Sequence, residues 1–230
     1  MINNTREALL VRQNRVRDQS LTILLTLELC TIFIAEPLAA KGLPIARAVA
    51  DTLVLTVLVI VVMLSQRWSA VILILLGLAA IVASFLLSEG SSLVPTASLH
   101  RAGDILAFSA LTWVVAHAVY APGRITFRRL QGAAVLYLSL ATIFASAYAL
   151  IWELSPGAFA NLVAQVGGPQ EIGTMLYFSL TTLTTTSYGD IVAVDPFARS
   201  LANLEAVIGQ FYLAITVARL VTLELADRGR

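Results

Sequence analysis

The ten residues Thr181-Thr182-Leu183-Thr184-Thr185-Thr186-Ser187-Tyr188-Gly189-Asp190 form a run crowded with hydroxyls. Hydroxyl and main-chain carbonyl oxygens of this kind can stand in for the water around a monovalent cation. The apolar piece just before them, Ile172–Thr184, is too short to cross hydrocarbon, which takes about 20 residues. Backbone without helical hydrogen bonds is tolerated at membrane depth only where it lines water or is buried in protein. A half-helix followed by a hydroxyl-rich turn meets that condition, and its C-terminal end carries partial negative charge aimed at a cation. The plainer reading is a Thr-rich loop that caps helix ends, which Thr and Ser often do. The short half-helix and the order of residues after it favour the cation reading.

Other polar residues sit where they are costly. Glu28 lies well inside the first apolar run and Glu36 near its end, and intramembrane acids are frequently functional. A hydroxyl or His117 would be the structural partner for Glu28, and the pair is also a candidate for proton sensing. Glu205 precedes Gly209 by four residues and so shares its helical face. It either hydrogen-bonds the scaffold behind the half-helix or forms a charged ring toward a water-filled cavity. Asp190, Asp195 and Glu171 are expected near the outer mouth, where acids concentrate cations. His100 is expected to be solvated in a polar loop. Cys30 is the single cysteine, so no intrachain disulfide and no thiol-rich metal site is possible. No His pair, metal-ligand cluster or Ser–His–Asp arrangement points to a membrane enzyme, and an enzyme is not expected.

The elements that position these residues are apolar helices. The chain has 230 residues, 58% hydrophobic and only 13% charged, against roughly a quarter charged in a soluble domain. Unbroken apolar runs exclude a β-barrel, whose strands alternate. The patterning predicts helices over Leu21–Ala40, Ala48–Gln66, Trp68–Ser88, Asp104–Tyr120, Gln131–Glu153 and Ser200–Leu225, with Glu89–Gly103 a loop. The expected domains are a cytoplasmic segment (1–20), a four-helix peripheral unit (21–120), a cytoplasmic linker (121–130) and a pore unit (131–230). Residues 1–20 lack the apolar core of a signal peptide, so the first helix is expected to be a retained anchor. With both termini cytoplasmic, eleven of the fifteen basic residues fall inside, and Lys41, Arg47, Arg101 and Arg199 fall outside. That agrees with the positive-inside rule. The net charge of +1 gives no argument for nucleic acid as a partner.

Thr185-Thr186-Ser187-Tyr188-Gly189, followed by Asp190, resembles the Thr-Val-Gly-Tyr-Gly filter of the potassium-channel family. Tyr177-Phe178-Ser179 and Thr181–Thr184 resemble that family's pore helix, and Gly209 stands where its inner helix commonly has a glycine hinge. The resemblance is specific over residues 130–221 and weak before them. It implies an all-α membrane protein, six transmembrane helices plus a re-entrant pore helix and filter loop, assembled as a homotetramer around one pore. It also implies that potassium is coordinated by the carbonyls of Thr185, Thr186, Ser187 and Tyr188 and by the Thr185 hydroxyl. Gly189 would complete the filter, and Asp190, Thr181 and Glu205 would support it. Two positions depart from the pattern. Thr186 replaces Val, a near-isostere, and Ser187 replaces glycine. Alternate filter residues take left-handed backbone angles, where a Cβ costs about 1–2 kcal/mol.

The expected function is therefore a potassium-preferring channel in the cell membrane, with a weakly selective cation channel or a non-conducting regulatory subunit as alternatives. A potassium-uptake transporter would carry four linked pore repeats, and this chain has one. The layout resembles voltage-gated channels, yet the fourth helix lacks the regular basic residues that sense voltage, so little voltage dependence is expected. Arg124, Arg128 and Arg129 are either ordinary positive-inside anchors or a site for anionic lipid. The sixth helix runs almost to Arg230, from which no fused cytoplasmic sensor is expected. Gating would then lie in a bend at Gly209, in apolar closure around Ala214–Ala218, or in the filter.

Overall fold

The computed structural model describes residues 20–64, 68–88, 96–120, 127–162, 164, 168 and 170–228. Arg67, Arg124, Arg230, nearly all of the N-terminal segment and most of the linker lie outside the described residues, as does the side chain of Arg128. The described chain is helical except for one small hairpin. Its elements are α1 (Ser20–Ala40), α2 (Pro44–Leu64), α3 (Trp68–Ser88), α4 (Thr96–Val119), α5 (Phe127–Leu154), β1 (Phe159–Ala160), α6 (Glu171–Leu183), β2 (Val192–Ala193) and α7 (Pro196–Arg228).

Helix α1 opens into a π turn over Thr31–Ala35. Pro37 has no N–H for the carbonyl four residues earlier and its ring crowds that carbonyl, so the preceding turn widens. Helices α3 and α4 approach backbone to backbone at Gly77 and Gly103. A Cβ on either would lie 2.8 Å from the other's carbonyl oxygen, so small residues set this crossing. α4 then runs antiparallel to α5, with Ser98 bonded to Glu153 at one end and Val119 against Gly132 at the other. The sequence places Glu89–Gly103 in a loop, but Thr96–Gly103 is the first part of α4. Polar composition is misleading here because Arg101 is held by ion pairs to Glu153 and Glu171, far along the chain, that no local pattern displays.

Two apolar clusters result. One joins α1, α2, α3, α4 and α5 around Leu24, Val61, Ile74, Leu111 and Val135. The other joins α5, α6, the hairpin and the start of α7. At its centre Tyr148, Phe159 and Phe178 meet edge to face, with ring centroids 4.9 to 5.9 Å apart. Each such pair adds about 0.5–1.5 kcal/mol beyond simple burial. The strands pair antiparallel, Phe159 with Ala193 and Ala160 with Val192, and so tie the exit of α5 to the entry of α7. Two-residue strands of this kind leave no alternating pattern to detect, and the sequence reading has none there.

Among the described residues three helices are long and apolar enough to cross a membrane: Ser20–Ala40, Arg129–Leu154 and Pro196–Arg219. α2 and α3 carry shorter apolar stretches, Ala48–Val62 and Val71–Ser84. α4 is interrupted by His100, Arg101 and Asp104.

Candidate functional site

The hydroxyl-rich turn begins where α6 ends. Residues Glu171–Leu183 are a short helix, close to the Ile172–Thr184 expected, and Thr182, Ser179, Phe178 and Met175 bury one face of it. The turn is tied back onto α6 by its own amides. Thr185 N–H donates to the Thr182 carbonyl (2.9 Å), and both Thr186 N–H (2.8 Å) and Ser187 N–H (3.1 Å) donate to the Thr181 carbonyl. Thr181 thus supports the turn through its main chain; its hydroxyl goes to Phe178.

Every second residue of the turn has a left-handed backbone: Thr185 at φ 57°, Ser187 at φ 43° and Gly189 at φ 80°. Glycine adopts this freely, whereas Thr and Ser are strained there by about 1–2 kcal/mol each. Local bonds help hold the strained residues. The Thr185 hydroxyl donates to the Thr184 carbonyl (2.7 Å) and accepts from Gln210 Nε2 of α7 (3.2 Å). The Thr184 and Thr186 hydroxyls are 2.9 Å apart. Among the described residues no hydrogen bond ends on the carbonyls of Thr185, Thr186, Ser187 or Tyr188. Residues 184–190 are all exposed on one surface of the chain. Tyr188 stacks on Tyr177 with parallel rings 6.3 Å apart, and the Tyr177 phenol also hydrogen-bonds Asp190.

Behind the turn lies a buried polar node. Glu205 of α7 is fully buried, and its Oε2 accepts from the Tyr148 phenol of α5 at 2.6 Å. Its Oε1 is in hydrogen-bond contact with the Ser179 hydroxyl of α6, which also lies 2.8 Å from the Ala141 carbonyl. Three helices therefore meet on one carboxylate. Glu205 takes the scaffold position of the two the sequence left open and does not face the surface of the chain. One turn later α7 passes the end of α6 so closely that a Cβ on Gly209 would overlap the Leu183 carbonyl. That carbonyl also accepts from the Tyr137 phenol (3.2 Å). α7 is an unbroken helix through Gly209, so here the glycine serves close packing.

Glu171 does not face the surface of the chain, as an acid at a mouth would. Glu171 is buried at the start of α6, where Arg101 Nη2 reaches its Oε1 at 2.9 Å. Arg101 also lies 3.5 Å from Glu153 and 3.6 Å from Asp104. Arg101 is thus not part of the polar loop expected over residues 89–103. Burial makes Arg101 and Glu171 require each other, and that pairing over seventy residues is invisible in sequence. Asp195 caps α7, accepting from Phe197 N–H (2.8 Å) and Ala198 N–H (3.2 Å). His100 is on α4, half-buried, with Nδ1 3.2 Å from the Ser84 hydroxyl. Glu28 takes a hydroxyl partner, Ser139 (2.7 Å), while His117 bonds the Trp113 carbonyl on an exposed face. The Glu28–His117 pair does not form.

Sequence reasoning missed Tyr148, Tyr137, Gln210 and the role of Ser179, since each acts across helices. It also missed Arg219, whose Nη2 donates to the Tyr120 carbonyl (2.8 Å) and whose guanidinium covers the Tyr120 ring at 4.7 Å. That contact joins α7 to the end of α4.

Residues 132–224 match a protein family described as ion channel. The match begins in α5 and ends in α7, so it includes the whole of the turn and its scaffold. It supports an ion-channel family for this chain, and with the three long apolar helices it marks a membrane protein. No curated protein and no solved structure matches the chain. Among the described residues no group of three or more His, Cys, Asp or Glu is placed to hold a metal ion.

Proposed function

We propose that this protein is one subunit of a homotetrameric, potassium-preferring channel whose filter is Thr185-Thr186-Ser187-Tyr188-Gly189. The observation that carries this is the alternation of left-handed residues at 185, 187 and 189, with four carbonyls between them engaged by no donor. Successive carbonyls can face one line only if the backbone alternates in this way, and a fourfold ring of them replaces the hydration shell of a monovalent cation. The C-terminal end of α6 adds partial negative charge behind the turn. Thr185, Thr186, Ser187 and Tyr188 are the ligands in this reading, and Asp190, Thr181 and Glu205 are the supports.

Assembly is supported by α7. Only 11% of its membrane-length window is buried within the chain, against 56% for α5, and Leu204, Val207, Phe211 and Ile215 are exposed on it. Copies packed around an axis would cover that face. The proposed topology has six membrane-crossing helices and both termini cytoplasmic in the cell membrane, the arrangement that keeps most Arg residues inside. Arg124, Arg128 and Arg129 would meet anionic lipid at that surface.

Ser187 favours a second reading, a weakly selective cation channel. A Cβ at φ 43° in four copies strains the ring and softens its radius. Bi-ionic reversal potentials on the purified channel in planar bilayers separate the two. Potassium preference appears as a shift of tens of millivolts. Equal sodium and potassium permeability selects the weakly selective channel, and absence of single-channel events in four-copy assemblies defeats both readings.

A further inference from the structure

A cavity of about 620 Å³ lies between the peripheral helices α1–α4 and the pore-side helices α5 and α6. That is the size of a site for a small organic molecule. Its walls are chiefly apolar, with Ile32, Val57, Ile81, Phe108 and Leu176 among them, and α1 sets Glu28 into the wall.

Glu28 is 4% exposed. Its Oε1 shares the Ser139 hydroxyl with the Val135 carbonyl, and its Oε2 has no hydrogen-bond partner. A buried carboxylate oxygen left without a donor is unfavourable, and a cation that brings both charge and N–H donors removes that deficit. The rest of the lining has the same sign: Glu36, Asp51 and Asp104 stand against Arg101 alone among its formally charged groups, beside His100. Apolar walls suit an organic body and not a hydrated metal ion. The described residues also offer no cluster that could strip a metal of its water.

We infer that this cavity is a binding site for an amphipathic organic amine, its ammonium on Glu28 and its apolar body between α2, α3 and α4. Such a ligand would rest against Ile172 and Leu176 of α6, the helix that ends in the hydroxyl-rich turn.

The test is calorimetric titration of the full chain in lipid nanodiscs with 4-phenylbutylammonium, and with 4-phenylbutanol as its uncharged match. Saturable binding of the amine is expected, at least tenfold tighter than the alcohol. Glu28→Gln is expected to weaken it tenfold or more. Val82→Trp, at a half-exposed position of the cavity lining, fills the space independently and is expected to weaken it similarly. Equal affinity for amine and alcohol, unchanged amine affinity in Glu28→Gln, or no saturable amine binding overturns the proposal. Should Glu28→Gln fail to fold, unchanged amine affinity in Val82→Trp overturns it. The readout is binding and not conduction, so failure of the channel reading and failure of this one are distinguishable.

Discussion

Glu205 and Glu28 are both buried carboxylates on apolar helices, and the chain treats them in opposite ways. Glu205, on α7, has each oxygen engaged by a different helix, Tyr148 from α5 and Ser179 from α6. Glu28, on α1 against α5, has one oxygen engaged and one not, beside a cavity. A satisfied buried network fixes one arrangement of helices, whereas a half-satisfied one costs stability and leaves something to be bound. The junction of α5, α6 and α7 is therefore built for rigidity behind a strained turn. The contact of α1–α4 with α5 and α6 keeps space.

Gly209→Val probes the rigid side most severely. Its Cβ meets the Leu183 carbonyl, a main-chain atom that cannot rotate away, so about 5 kcal/mol or outright loss of the folded assembly is expected. Thermal unfolding with size-exclusion chromatography reads this, and a well-folded variant would show that α7 has room to shift. Arg101→Met follows. It leaves Glu153 and Glu171 facing each other without their cation, at about 3–5 kcal/mol, and Glu171→Gln in the same chain should recover part of the loss. Additive losses in that double variant would mean that the ion pair is not coupled.

The direct comparison is Glu205→Leu against Glu28→Leu. The first strands the Tyr148 phenol, while Ser179 keeps the Ala141 carbonyl as acceptor, and should cost about 1–3 kcal/mol. The second removes an oxygen that had no donor, and Ser139 keeps the Val135 carbonyl as acceptor, so the change should be within about 1 kcal/mol of neutral. Equal melting-temperature losses would break the contrast between the two regions. The smallest expected effect is Ser187→Gly, a gain of about 1 kcal/mol per chain from relieved left-handed strain. In bi-ionic recordings the same variant should sharpen potassium over sodium, and unchanged selectivity would detach selectivity from this strain.

Much of the positioning framework was legible in sequence because it is written in local pattern. The helices over Trp68–Ser88 and Gln131–Glu153 stand almost where hydropathy puts them, and the short piece ending near Thr184 is too brief to be anything but a half-helix. The order Thr-Thr-Ser-Tyr-Gly-Asp pointed to the turn before any coordinate did. Polar residues on helices were misjudged, because sequence reports a residue's type and not what it faces. Arg101 read as part of a polar loop and Glu171 as a mouth acid, and they are each other's buried partners.

By itself the sequence determined that the chain is a set of apolar helices with one hydroxyl-rich turn after a half-helix, since length, hydropathy and residue order act within a few turns of chain. Only the tertiary structure decided that Glu205 holds three helices together, that Gly209 admits a carbonyl, and that Glu28 borders a cavity. Those facts depend on which helix faces come together, and contacts across dozens of residues are set by packing that no local pattern records.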